Sequence, residues 1–214
     1  MGNEAARAAH LKFVGKVLSV FTHEINNHLA ILKESAGLIE DTLRFQKNAS
    51  GDVMNIVQSI EKQIAKTAWL CKKLNGFGHR MDNGAAVFNA NECIDELLAL
   101  LNRLANHRQV CFVKEFKDGL PQAAGDPAML QLLLFCVIEK GLNDLDRDGR
   151  IIFKTAHSGG HISIEIIIEG RLSGSFEKGI CPDDIAGYLA SRLKGGISYN
   201  GGGSVSITLP APAA

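Results

Sequence analysis

The stretch Phe21-Thr-His-Glu-Ile-Asn-Asn-His-Leu-Ala-Ile-Leu32 puts His23 beside the carboxylate of Glu24 and four residues ahead of the amide of Asn27. Imidazole changes charge near neutral pH, and its two nitrogens can divide the roles of proton holder and electron-pair donor. Whether His23 does chemistry depends first on whether it faces water. At about 100° per residue, with Ile25 set at zero, Val14, Leu18, Phe21, Leu29, Leu32 and Ala36 fall within about 40° of one line, an apolar stripe. His23 falls roughly 160° away, with Asn27 about 40° from it on the same face and Glu24 one step round. A lone histidine there would more often be part of a solvated surface; the acid and amide beside it shift the reading toward a reactive site.

The helix that carries it belongs to a proline-free region, residues 3–79. Asn48-Ala-Ser-Gly51 interrupts its helical periodicity once, which predicts two long helices in an antiparallel hairpin. Asn75-Gly-Phe-Gly78 and Met81-Asp-Asn-Gly84 then read as the end of the second helix and a linker. Phe13, Val20, Ile31 and Leu38 form a second stripe on the first helix, roughly 120–140° from the main one. A single hairpin partner hardly covers both. Two hairpins paired as a four-helix bundle would, so a homodimer is expected.

From residue 86 the pattern changes. A short strand (86–88) precedes a helix with Asn89 as N-cap and Glu92 three residues on. A strand near 109–116 follows, and Asp126-Pro127 caps an apolar helix over 128–143. Arg150–Ala156 and His161–Glu169 read as strands joined at Ser158-Gly-Gly160. Pro182 opens a further helix that Gly195-Gly196 closes, and two strands flank Asn200-Gly-Gly-Gly203. The chain is thus α+β: a hairpin over 1–80, then helices on a mainly antiparallel sheet over 86–210.

Composition narrows the function classes. The 214 residues carry 23 Lys plus Arg and 23 Asp plus Glu, so no net field points to nucleic acid or an anionic membrane. No apolar run approaches the ~20 residues of a membrane span, no secretory signal is evident, and Ala6 stands where a myristoylation site needs Ser or Thr. A cytoplasmic protein is expected. Cys71, Cys93, Cys111, Cys136 and Cys181 lack metal-site or disulfide spacing and read as small buried hydrophobes. Trp69 reads as bundle core, His28 as packing, and the remaining histidines as surface or helix-end residues.

His23-Glu-Ile-Asn-Asn27, followed by Leu29, resembles the phosphoacceptor box of the histidine-kinase dimerisation domain, which lies on the first helix of a hairpin that pairs into a four-helix bundle. The resemblance implies that His23 takes a phosphoryl group, Glu24 orients or deprotonates it, and Asn27 assists phosphatase chemistry. The second half resembles the ATP-binding α/β sandwich of the same kinases through Phe88-Asn-Ala-Asn-Glu92, Gly125-Asp-Pro127 and Gly203-Ser-Val-Ser-Ile-Thr-Leu-Pro210. Its nucleotide chemistry looks eroded. Glu139 stands where the family has a magnesium-binding asparagine, with Asn143 one turn late. Glu169-Gly-Arg-Leu-Ser replaces the glycine-rich adenine motif, and no glycine-rich lid precedes Pro182. Phosphates need close backbone approach and N–H donors, so these losses argue against ATP.

An intact acceptor beside a degenerate ATP domain resembles the dimeric histidine phosphotransferases of bacterial phosphorelays. That family passes phosphoryl groups between receiver-domain aspartates, takes them from hybrid histidine kinases, and needs no cofactor of its own because magnesium sits on the receiver. On this reading Glu24 hydrogen-bonds the second ring nitrogen of His23. Three alternatives stand: a histidine-kinase-type sensor protein, a receiver phosphatase and a non-enzymatic dimeric adaptor.

Overall fold

Apolar residues at helical spacing carry the first half of the chain into two long helices. In the computed structural model, which describes residues 2–45, 50–82, 84, 86–172 and 183–212, these are α1 (Gly2–Phe45) and α2 (Ser50–Asp82). His10 meets Met81 and His28 meets Thr67, so the helices run antiparallel, as predicted. Residues 48 and 49 of the predicted break lie outside the described residues, whereas Ser50 and Gly51 already belong to α2.

The second helix does not stop at Gly76 or Gly78. A glycine inside a helix costs about 1 kcal/mol relative to alanine, and here packing offsets it. Phe77 is buried, and Arg80 forks onto Glu96 at 2.5 and 3.0 Å. A Cβ at position 76 would sit 2.7 Å from Glu96 Oε1. Gly76 is therefore a site of close approach between helices rather than a terminator.

The second half opens with β1 (Ala86–Phe88) and α3 (Ala90–His107), the latter capped as its sequence requires: Asn89 Oδ1 accepts from Glu92 N at 3.2 Å. Then come β2 (Cys111–Glu115), β3 (Ala123–Gly125) and α4 (Pro127–Asp144). Asp126 caps α4 by accepting from the backbone N–H groups of Ala128 and Met129 at 3.0 and 3.3 Å. Next are β4 (Arg150–Ser158), β5 (His161–Glu169), α5 (Asp183–Arg192), β6 (Gly196–Tyr199) and β7 (Ser204–Pro210). Pro182, predicted to open α5, lies outside the described residues.

The main sheet has the order β2-β4-β5-β7-β6, with β2 and β4 parallel and the other pairs antiparallel. Strand β5 alternates as a one-sided strand must: Ile162, Ile164, Ile166 and Ile168 are buried in one core with Leu97 and Leu101 of α3 and Leu130, Leu134 and Ile138 of α4. Strand β3, which pairs with β1, is absent from the sequence reading because Ala-Ala-Gly carries no strand preference.

The stripes of α1 are covered only in part within this chain. Phe13 and Val20 are buried within this chain, whereas Ile31 and Leu38 of the same stripe stay 38% and 50% exposed. Phe13 packs edge-on to Phe77 at 5.4 Å between ring centroids and tilted against Phe135 of α4 at 4.8 Å. Leu18 and Leu29 of the main stripe remain 46% and 53% exposed. Trp69, expected in the core, is 51% exposed, with Lys73 Nζ 5.6 Å from its ring centroid. Cys71 and Cys111 are likewise exposed rather than buried. Cys93 is buried, which pushes its thiol pKa up, and Cys181 lies outside the described residues.

Ion pairs bracket the phenylalanine cluster: Lys12 with Glu139 at 2.8 Å, Arg80 with Glu96, and Asp95 of α3 held by both Lys73 and Lys114. Burial by itself would raise the Asp95 carboxyl, but the ammonium groups of Lys114 and Lys73 outweigh it and hold the group below the usual carboxylate range.

Two outcomes follow from this junction. Phe13→Ala removes a fully buried ring shared by three helices and should cost about 3–5 kcal/mol in chemical denaturation. Asp95 has a lower pKa folded than unfolded, so its contribution is complete above an unfolded value of about 3.9 and drains away as pH falls through the folded value. Urea midpoints measured from pH 6 down to pH 3 should therefore fall more steeply for the wild type than for Asp95→Asn.

Candidate functional site

His23 lies near the middle of α1 and is exposed, where the angular reading put it. It stands on a ridge between two concavities. On the outer side it shares a shallow groove with Asn27, Leu18, Ser19 and Thr22. On the inner side it borders a cavity of about 480 Å³ between the hairpin and the sandwich, lined also by Lys16, Arg103, His107, Arg108 and Glu139. The structure thus brings His23 and Asn27 onto one groove.

Glu24 is placed elsewhere. Arg103 of α3 donates from Nη1 to Glu24 Oε2 at 3.1 Å, and its Nη2 lies 3.3 Å from His23 Nε2. The other oxygen, Glu24 Oε1, faces His28 Nε2 at 3.7 Å. Among the described residues, then, the polar partners of Glu24 are Arg103 and His28, and the expected hydrogen bond from Glu24 to the second nitrogen of His23 is not present. The motif's carboxylate is tied to its histidine through an arginine from the other half of the chain.

His28 is more than packing. The Thr67 hydroxyl donates to the backbone carbonyl of Gln63 at 2.8 Å, so the same oxygen must accept from His28 Nδ1–H at 3.0 Å. That bond leaves His28 Nε2 toward Glu24. The hairpin partner thereby fixes the imidazole that flanks the acid.

The inner cavity gathers cations that the sequence does not single out. Lys16 lies two turns before His23, and Arg103 and Arg108 come from α3 and its end, about 80 residues away. Arg108 Nη2 donates to Asn143 Oδ1 at 3.3 Å. No motif marks these residues, because on α3 they read as the solvated side of an amphipathic helix. Only the docking of the two halves makes them neighbours of His23.

The positions compared with a nucleotide site are occupied by internal partners. Glu139 takes Lys12 of α1, and Glu169 accepts from Arg150 Nη2 at 2.8 Å. Residues 173–182, where the sequence lacks a glycine-rich lid, lie outside the described residues. Among the described residues, no cluster of three or more His, Cys, Asp or Glu side chains could hold a metal, and no helix is long and apolar enough to cross a membrane.

No protein-family model matches the chain, and no curated protein does. Solved structures do. The nucleotide-free catalytic domain of histidine kinase ThkA aligns with TM-score 0.50 at 13% identity, covering 59% of this chain and 95% of that one. ThkA in complex with response regulator protein TrrA gives TM-score 0.50 at 13% identity, covering 97% of this chain and 64% of that chain. Histidine kinase AdeS of Acinetobacter baumannii gives 0.48 at 14% identity over 88% of this chain and 96% of the other. The ThkA likeness is one of fold, and it spans both halves: a helical hairpin followed by an ATPase-like α/β sandwich.

The exposure of His23 carries a direct expectation. His23→Gln should change the stability of the protein by no more than about 0.5 kcal/mol in thermal or urea unfolding, as surface substitutions usually do.

Proposed function

We propose that this chain is a histidine phosphotransferase of a bacterial phosphorelay, in which His23 accepts a phosphoryl group from one receiver-domain aspartate and returns it to another. The observation that carries the reading is the position of His23. It is exposed on the first helix of a histidine-kinase-like hairpin, beside Asn27 and open to a partner from the outer groove. The neutral imidazole attacks phosphorus in line with the departing aspartate oxygen, and alignment of donor and acceptor does most of the work. Magnesium belongs to the receiver, and a hybrid histidine kinase feeds the relay. Neither nucleic acid nor membrane enters, and the relay is cytoplasmic.

A role without ATP is supported by Glu139. It stands at the position where a kinase holds magnesium with an amide, and it is committed instead to Lys12 of α1. Receiver partners are supported by the fold, since the ThkA neighbour was solved with a response regulator. A receiver phosphatase is the second reading, favoured by Asn27, whose amide shares the outer groove with His23 and could position a water.

The protein is also proposed to act as a homodimer. Leu11, Leu18, Leu29 and Leu43 fall along one line of α1 and are all exposed, as are Met54 and Ile64 of α2. An apolar strip of this extent is costly in water, and a second hairpin would cover it. Light scattering at micromolar concentration should give twice the chain mass; a monomer would remove the bundle from the account.

Incubating the protein with a receiver domain carrying aspartyl phosphate tests the function. The expected product is an acid-labile, base-stable phosphoryl group on the wild type and none on a folded His23→Gln. Asn27→Ala should still accept phosphate. If it instead loses a receiver-dephosphorylating activity that the wild type has, the phosphatase reading takes over.

A further inference from the structure

We infer that Arg103 is the residue that takes hold of the phosphoryl group on His23, with the cavity behind it serving as an anion-binding pocket. The inference rests on His23 being a phosphoryl acceptor, and it adds a group from the other half of the chain to that site.

A guanidinium has only donors, so the contact of Arg103 Nη2 with His23 Nε2 requires that nitrogen to present its lone pair and puts the ring proton on Nδ1. Nε2 is therefore the nucleophile. Glu24 holds the second arm of the same fork through Nη1, which fixes the guanidinium plane beside the ring. Glu24 thus acts on His23 as a positioning residue, through Arg103. The cavity that opens at this point brings Lys16, His107 and Arg108 to the same side, with Glu139 neutralised by Lys12.

The transfer balances on these groups. The Nε2 lone pair forms the P–N bond as the P–O bond to the donor carboxylate breaks, and the carboxylate leaves with the electron pair. The ring keeps its Nδ1 proton and so becomes cationic beneath a dianionic phosphoryl group. Arg103 gives up Nε2, whose lone pair is now bonded to phosphorus, and donates instead to the phosphoryl oxygens one bond further out. It loses a neutral acceptor and gains charged ones, a stronger hydrogen bond. With Nη1 held by Glu24, Nη2 is the arm left to donate, aimed by a planar group in a way that a lysine ammonium, a point charge on a flexible stem, is not.

Phosphoramidate tests this without any receiver. It phosphorylates exposed imidazole directly, its P–N bond breaking as ammonia leaves. Full-length wild type, Arg103→Ala, Arg103→Lys and Lys73→Ala are treated with the potassium salt, and phosphorylation at His23 is read by mass spectrometry against exposed His161 in the same sample. Arg103→Ala should lower loading of His23 relative to His161 at least about tenfold, the scale of losing one aimed donor at a developing anion. Arg103→Lys should keep part of it. Lys73→Ala, which loosens the junction at Asp95 and does not line the His23 cavity, should stay within about twofold of wild type. Unchanged or increased loading in Arg103→Ala would overturn the assignment and make the arginine a cap on the acceptor. Equal losses in Lys73→Ala and Arg103→Ala would overturn it too, leaving Arg103 as a strut. If Arg103→Ala does not fold, the lysine variant decides, and wild-type loading there counts against the proposal. A wild type that loads from phosphoramidate in an Arg103-dependent way but never from a phosphorylated receiver would sink the relay reading while leaving Arg103 assigned.

Discussion

Phe13 is the pin on which this molecule turns. Its ring leaves the first helix, meets Phe77 of the second and Phe135 of α4, and is wholly buried among them. The contact joins the hairpin to the sandwich by apolar packing, which is non-directional. The ion pairs around it supply direction: Arg80 with Glu96, Asp95 with its two lysines, and Lys12 with Glu139. Each draws α3 or α4 onto a defined turn of the hairpin. Ten residues along α1 from the pin, that registration delivers Arg103 to His23.

The same docking gives the two faces of His23 different characters. The inner face looks into a cavity walled by the sandwich and edged with cations. The outer face, with Asn27, opens on solvent between helix turns. His23 thus stands between an outer face open to solvent and an inner face attended by Arg103. The position that resembles a metal-binding asparagine now contributes, as Glu139, to holding the halves together.

Local features were well encoded in the sequence. Asn89 and Asp126 cap helices because their side chains can accept from N–H groups that the helix leaves without partners. The Ile162–Ile168 alternation could only be a strand with one face buried. The angular position of His23 followed from helical geometry alone. What failed were inferences about partners in space. Periodicity reports that Phe13 needs cover, not that Phe77 of α2 and Phe135 of α4 provide it. Gly76 and Gly78 look like terminators until Glu96 is seen to need the room above Gly76. Trp69 and Cys71 carry apolar side chains, yet both are exposed in the single chain, Trp69 with Lys73 beside its ring. Glu24 looks like the partner of its neighbour in sequence, but adjacent residues on a helix point about 100° apart. It is Arg103, distant in sequence, that bridges the angle.

The central claim is that this fold keeps the acceptor histidine while its second half serves as a docked wall instead of a nucleotide carrier. Calorimetric titration of the full-length protein with ATP and magnesium, followed by a search for label on His23 after incubation with γ-labelled ATP, tests it most directly. The account predicts no binding heat in the micromolar range and no phosphorylated His23. Micromolar affinity accompanied by labelling of His23 would contradict it and make the chain an autophosphorylating kinase.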